Sequence, residues 1–460
     1  MKASSNKRDL LASLKAMSAV EVGLDFGSDI IDVGTLMIHE GRIYFEYDAA
    51  FLDQGLSISP IHLPLQPGLK RFERDVGDGL AGVFDDSLPD GWGRLMVDRH
   101  IKGLGITPTH LHPIHRLALV GSLGMGALVY RPTAACSLGA LIPNNEHASM
   151  APTSSQARSL VWDELAHQAQ QVLADFAGEP AEVFARFQAI NGSSGGARPK
   201  VVCWISEDME WVSLGPDPQK KAFEASSHPP VSLKPWLVKF PNQSDGAYSG
   251  AVEFVYAQLA ALAGIEMMPV HLFESEQSGT GLGYFGTRRF DRSELVSFED
   301  RPKRWHLHSA AGLLHADFRV PALDYVDLIK LTARLTRNQA DAWSMYRLAV
   351  FNVLAHNRDD HGKNFSFLMD EMGQWRLSPA YDLTFSQGIR GEQSTLVAGV
   401  GRDPGVDDLK RLAREVGMDP KQALREIDAV QTALSQWPSL AQGLGLSQGV
   451  IREVASGMQV

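Results

Sequence analysis

Apolar side chains recur at helical spacing between Asn338 and His356, with Met345, Leu348, Phe351, Val353 and Leu354 on one stripe. The helix they predict runs directly into His356-Asn357-Arg358-Asp359-Asp360-His361-Gly362-Lys363-Asn364-Phe365, and the apolar run Phe365-Ser366-Phe367-Leu368 follows at once. A polar loop clamped between two apolar segments is fixed at both ends. A packed helical core must therefore lie beneath a dense cluster of polar groups, and this juxtaposition constrains the chain more than any other feature.

Phosphoryl transfer is the chemistry such a loop suits. It needs a carboxylate to orient the attacking hydroxyl and an amide oxygen to hold metal, and kinases supply an Asp and an Asn five positions later. Asp359 and Asn364 have that spacing, whereas Asp360 is one residue out of step, so the base is assigned to Asp359. Lys363 is suited to neutralising the transferring phosphoryl group. A solvated loop after a buried helix would use the same residue types, and a lone match of this kind is weak. Metal binding by His356, Asp359 and His361 is another reading, but no Cys or further His cluster completes a closed zinc site.

Three other segments bear on the same chemistry. Leu377-Ser378-Pro379-Ala380-Tyr381-Asp382 lies beyond an expected hairpin, Phe365–Met369 and Trp375–Leu377, turning at Glu371-Met372-Gly373. A hairpin brings its ends together, so Asn364 and Asp382 should converge. Two oxygen donors there would suit Mg²⁺, although Asp382 taken alone reads first as a turn residue or helix cap before Leu383. In Trp236-Leu237-Val238-Lys239-Phe240-Pro241 a lysine sits within an apolar strand, where it needs a partner. A phosphate, with Glu253 of the next helix as counter-charge, would supply one; an edge lysine facing water is the alternative. Last, Asn191-Gly192-Ser193-Ser194-Gly195-Gly196-Ala197 precedes Arg198-Pro199-Lys200. Its glycines allow backbone N–H groups to approach phosphate, but it lacks Walker A spacing, and a flexible linker would look the same.

The wider chain supplies a frame for these segments. Residues 31–65 read as strands with a hairpin turning at His39-Glu40-Gly41-Arg42; 88–94 reads as a loop opening a helix at Leu95–Ile101; 132–158 resembles a linker. Helix is expected over 159–190, strands over 200–205 and 236–240, helix over 248–263, and mostly helix from Tyr325 onward. The fold class is α+β, with a β-rich N-terminal region and a mostly helical C-terminal one, divided as 1–150, 151–291 and 292–460. The net charge of -11 argues against coating nucleic acid. Two distant cysteines imply neither a disulfide framework nor a zinc site, and a reducing cytoplasm is the expected compartment. Neither a signal peptide nor a membrane span is expected.

Taken in order, the motifs resemble the HipA family of bacterial serine/threonine kinases, the toxins of toxin–antitoxin pairs. Leu88-Pro89-Asp90-Gly91-Trp92-Gly93-Arg94 and Gly124-Met125-Gly126-Ala127-Leu128 resemble its N-terminal subdomain. The resemblance implies a two-lobed kinase fold and a phosphate loop involving Gly195, Gly196, Ala197, Arg198 and Lys200, with Ser193 autophosphorylated. It gives Lys239 the role of ATP lysine. Arg288, Arg289 and Phe290 fall at the end of an adenine-contacting hinge. Asp359 becomes the base, with His361 and Lys363 beside the nucleotide, Asn364 and Asp382 as Mg²⁺ ligands, and Tyr381 next to the second metal site. The cofactors implied are ATP and Mg²⁺. The partners are a protein with a Ser/Thr acceptor, aminoacyl-tRNA synthetases being known targets, and a HipB-like helix-turn-helix antitoxin through which DNA is met only indirectly. No membrane partner is implied. Arg288 stands where an acidic residue is expected, and 132–158 and 206–235 diverge from the pattern. An inactive kinase fold acting as a regulatory partner, or a small-molecule or lipid kinase, would use the same fold. A dead copy would have no chemical reason to keep Lys239, Asp359, Asn364 and Asp382 together.

Overall fold

Alternation of apolar side chains from Ile31 to Tyr47 forms two antiparallel strands, β2 (Ile31–His39) and β3 (Arg42–Tyr47), in the computed structural model. Glu40 and Gly41 turn between them with φ of 49° and 68°, as a two-residue hairpin of right-handed twist requires. β1 (Ala19–Leu24) pairs with β2, and β4 (Lys70–Arg71) lies beside β3. The strand run ends at Tyr47 rather than continuing to residue 65; a single helical turn, Ala49–Leu52, follows. The described residues are 12–73, 77–89, 91–133, 155–173, 196–216, 218, 231–242, 245–276, 281–297 and 301–460.

The chain divides into two compact units, one of residues 1–244, 291–307 and 370–373, the other of 245–290, 308–369 and 374–460. In the first, α1 (Gly91–Gly103) begins four residues earlier than the sequence suggests, so Gly91–Arg94 is its first turn and not a loop. Trp92, Met96 and Ile101 anchor it in the core. α2 (Pro113–Val120) starts at a proline, whose fixed φ suits a first helical position. It packs on the sheet that β5 (Leu128–Pro132) completes in the order β4-β3-β2-β1-β5. α3 (Ser155–Leu173) buries Leu165, Ala169 and Val172 on one face. The rest of the expected 159–190 helix lies outside the described residues.

β6 (Lys200–Ser206) then pairs with β7 (Val212–Leu214) on one side and β8 (Leu233–Lys239) on the other. All seven residues of β6 are buried, Lys200 included. Residues 291–307 return to this unit. Asp291, wholly buried, accepts hydrogen bonds from the Gly126 amide and Arg292 at 2.8 Å each, while Arg292 also donates to the carbonyls of Gly124 and Gly126 at 2.7 Å. Arg304 joins the Gly126 carbonyl, at 2.8 Å, to buried Asp25, at 3.1 Å.

The second unit opens with α4 (Ser249–Leu262) and the antiparallel pair β9 (Val270–Phe273) and β10 (Tyr284–Arg288). A short helix, α5 (Ala310–Leu314), and the two-residue β11 (Leu323–Asp324) lead into α6 (Tyr325–Thr336) and α7 (Gln339–Leu354). The hairpin expected from the sequence forms as β12 (Ser366–Met369) and β13 (Trp375–Leu377). β14 (Glu392–Val397) pairs in parallel with β11 and antiparallel with β15 (Val400–Arg402). Four helices close the chain: α8 (Val406–Glu415), α9 (Pro420–Leu434), α10 (Trp437–Leu444) and α11 (Gln448–Gly457). Its core is helical, centred on Tyr256, Tyr346, Phe351 and Trp437.

Candidate active site

α7 ends where the chain needs a turn. His356 takes φ of 58°, and the Asn357 amide returns to the Asn352 carbonyl at 2.9 Å. Positive φ is uncommon for a residue with a side chain and marks a position that the surroundings impose. The Asn357 side chain, 1% exposed, also donates to Asn352 Oδ1 at 2.9 Å. The polar run thus leaves the helix on a buried amide pair.

The adjacent carboxylates that follow have opposite surroundings. Asp359 is exposed, whereas Asp360 is 1% exposed. Asp360 accepts from the Tyr325 hydroxyl at 2.6 Å, Gln393 Nε2 at 2.9 Å, and the amides of Ser394 and Thr395 at 2.9 and 3.1 Å. A carboxylate has about four lone-pair directions, and these donors fill them. Burial still pushes its carboxyl up to about 6. Asp360 is an anchor that pins the loop to α6 and β14, leaving Asp359 as the carboxylate that faces outward.

Asn364 closes the loop on itself. Its Nδ2 donates to the Asp359 carbonyl at 2.8 Å and its amide to the His361 carbonyl at 2.8 Å. With the amide nitrogen engaged there, Oδ1 is available as an acceptor or ligand. Gly362 lies so close to α5 and β11 that a Cβ would come within 2.7 Å of Leu323 Cδ1. The Tyr381 hydroxyl donates to the Lys363 carbonyl at 2.5 Å and meets the Ser366 hydroxyl at 2.6 Å. The segment ending in Asp382 is therefore stitched to the segment ending in Asn364, and Asp382 itself takes φ of 58°. Phe290, from beyond β10, stacks at a tilt on Tyr381 with ring centroids 5.4 Å apart. Arg288 ends β10 with its amide on the Pro269 carbonyl at 2.9 Å, and Arg289 is buried.

The donors fit a hard divalent cation: an amide oxygen and a carboxylate, with no sulfur. Among the described residues no three His, Cys, Asp or Glu side chains gather as a cage. His356, from the alternative metal set, stacks on Phe385 at 5.3 Å instead.

The first unit holds the other residues singled out from the sequence. Lys200 and Lys239 are direct partners in the β6–β8 register and so share one face of the sheet. Lys239 is the last residue of β8 rather than its middle, and it is half-buried. Lys200 Nζ lies 2.5 Å from where a Cβ on Gly196 would stand, so the Gly196 backbone comes close to that ammonium. Like charges directly opposite across a ladder are destabilising unless a counter-charge meets them. Ser193 and Gly195 lie outside the described residues. Glu253 is buried in α4 of the second unit.

Sequence reading missed Phe318. Its ring lies 4.7 Å from Lys363 Nζ and 5.4 Å, edge-on, from the His361 ring. A lone Phe in the polar stretch after α5 carried no periodic or motif signal. The anchoring role of Asp360 was equally hidden, because its partners lie more than thirty residues away.

Comparison with known proteins bears on the family and the fold. Residues 192–437, more than half of the chain, match the HipA-like C-terminal domain, and residues 28–131 match the HipA N-terminal domain. The solved structure of the Shewanella oneidensis MR-1 toxin–antitoxin system HipA, HipB and operator DNA contains a chain that superposes with a TM-score of 0.61. That match covers 95% of this chain and 94% of the other at 17% identity, and it shows a shared fold. The Helicobacter pylori proinflammatory kinase CtkA aligns over 49% of this chain and 87% of its own, at 12% identity and a TM-score of 0.31 too low to carry an argument. A Sinorhizobium fredii protein named "Putative kinase Y4mE" is 25% identical over 200 residues, which span 40% of this chain and 44% of that protein's length. The chain belongs to the HipA family, and its fold is α+β with a sheet-rich N-terminal region and a helical C-terminal region.

Proposed function

We propose that this HipA-family chain is an ATP-dependent protein kinase that phosphorylates Ser or Thr and serves as the toxin of a toxin–antitoxin pair. The observation that carries the reading is the stitching of Asp359–Asn364 to Tyr381–Asp382 through the Tyr381 hydroxyl and the Lys363 carbonyl. It joins the segments that carry Asp359, Asn364 and Asp382, which supports reading them as the base and two oxygen donors that phosphoryl transfer needs.

In this reading Asp359 orients the acceptor hydroxyl and takes its proton as the oxygen attacks the γ-phosphorus. The bond to the β,γ-bridging oxygen breaks and ADP leaves. Lys363 faces the negative charge that spreads over the transferring group. Lys200, Lys239 and the Gly196–Arg198 backbone hold phosphate oxygens, and Arg288, Arg289 and Phe290 serve the adenine end. Asn364 and Asp382 would hold Mg²⁺, whose charge offsets that of the phosphates. The HipB-like partner, and DNA through it, is proposed from the company kept by the Shewanella structure. Among the described residues no helix is long and apolar enough to cross a membrane.

The test is the intact mass of the protein after incubation with Mg-ATP, for wild type and Asp359→Asn. A gain of one phosphate in the wild type alone, mapped to Ser193, is expected. Loss of a positioned base costs roughly 10²–10⁴-fold in rate. A variant that gains phosphate as fast as the wild type sinks the assignment of Asp359.

A further inference from the structure

We infer that Gly91 and the backbone amide of Trp92 form a latch that sets the position of the Gly196–Arg198 loop; this rests on the proposed reading of that loop as phosphate-binding. The Trp92 amide, in the first turn of α1, donates to the Gly196 carbonyl at 3.1 Å. First-turn amides have no partner within their own helix. Here one is satisfied by the backbone of the loop, drawn from a distant part of the sequence.

Gly91 makes the approach possible. A Cβ there would lie 2.6 Å from the Gly196 carbonyl oxygen and 2.8 Å from Ala197 Cα. Both are backbone atoms, so no side chain can swing aside, and the loop itself would have to move. Gly91 also has φ of 41°, a conformation that disfavours most side chains. The helix behind it is firmly seated, with Trp92 1% exposed and Met96 and Ile101 fully buried.

On its other side the loop meets a side chain rather than backbone. Gly196 has φ of 98°, and a Cβ on it would stand 2.5 Å from Lys200 Nζ. Lys200 is fixed by β6, opposite Lys239. The loop is thus held between a helix start and an ammonium, and displacing it from α1 changes what its amides offer to an anion above the two lysines. The Leu88–Arg94 motif gains a reason: it lets an N-terminal helix touch the loop backbone to backbone. Gly91 is a positioning residue, since it acts through the loop and not on the nucleotide.

The experiment compares wild type, Gly91→Ala, Gly91→Asn and Arg94→Ala. Asn tolerates positive φ, so Gly91→Asn isolates the added Cβ from backbone strain. Arg94 is an exposed neighbour in the same turn. Amide exchange of Ala197 and Arg198 is measured without nucleotide, and kcat and KM for Mg-ATP with it. Both Gly91 variants should exchange faster at these two amides and raise KM roughly tenfold, the order of one displaced hydrogen bond, with kcat within about twofold. Arg94→Ala should match the wild type. Unchanged exchange and KM in the Gly91 variants overturns the latch. So does a general loss, in which exchange rises throughout the first unit and kcat and thermal midpoint fall together. A wild type that binds no Mg-ATP would defeat the phosphate reading, while faster exchange at Ala197 and Arg198 would still support the latch.

Discussion

Asp359 and Asp360 are chemically identical neighbours, and their surroundings separate them. Burial raises Asp360 to about 6 although four donors pull the other way. The fold therefore favours its protonated form. Its contribution to stability is full below the ordinary carboxylate value of about 3.9 and is lost as pH climbs through about 6. The stability of wild type minus that of Asp360→Asn, from chemical denaturation, should fall between pH 4 and 6 and then level off. A difference that is flat across that window would mean the carboxyl titrates normally. On the proposed phosphate-binding role, Lys200→Met should show a smaller rise in melting temperature on adding Mg-ATP than the wild type, because one of two lysines paired across β6 and β8 is gone; an equal rise would remove Lys200 from that role.

At the scale of elements, single carboxylates tie helices to distant strands. Asp324 caps α6 by accepting from the Val326 amide at 2.8 Å. It also accepts from the amides of Ala398 and Gly399, at 3.1 and 2.7 Å, where β14 turns into β15. A lost cap alone costs about 1 kcal/mol. Asp324→Ala should cost about 1–3 kcal/mol, since two further amides lose their acceptor. A melting temperature equal to that of wild type would remove Asp324 from this role. The β12–β13 hairpin and the α7 stripe were legible as sequence because each is a local pattern, period two or period 3.6. The start of α1 was misjudged for the opposite reason: glycine-rich Gly91-Trp92-Gly93 reads as loop, and only its contact with Gly196 explains a helix there.

At the scale of the molecule, the first unit is assembled from distant stretches by one buried ionic network. Asp25, Gly126, Asp291, Arg292 and Arg304 come from its beginning, its middle and the returning segment 291–307. Removing one partner leaves the others charged and buried. Asp291→Ala should cost about 3–5 kcal/mol, read as an earlier thermal transition that takes the first unit with it. A loss below about 1 kcal/mol would show that water or another acceptor replaces the carboxylate.

The sequence by itself determined the family, the α+β class, the helix that runs into a polar loop, and the identities of Asp359, Asn364, Lys239 and Asp382 as candidates. The family follows from the resemblance of motifs in order along the chain, and the rest from local patterns of residue type and spacing, which a chain carries in one dimension. Tertiary structure alone decided that Asp360 is an anchor and Asp359 faces outward, that Lys200 stands opposite Lys239, that Phe318 lies against Lys363, and that Gly91 touches Gly196. Each of these depends on burial or on backbone approach between residues far apart in the chain, and neither quantity leaves a periodic trace in the sequence.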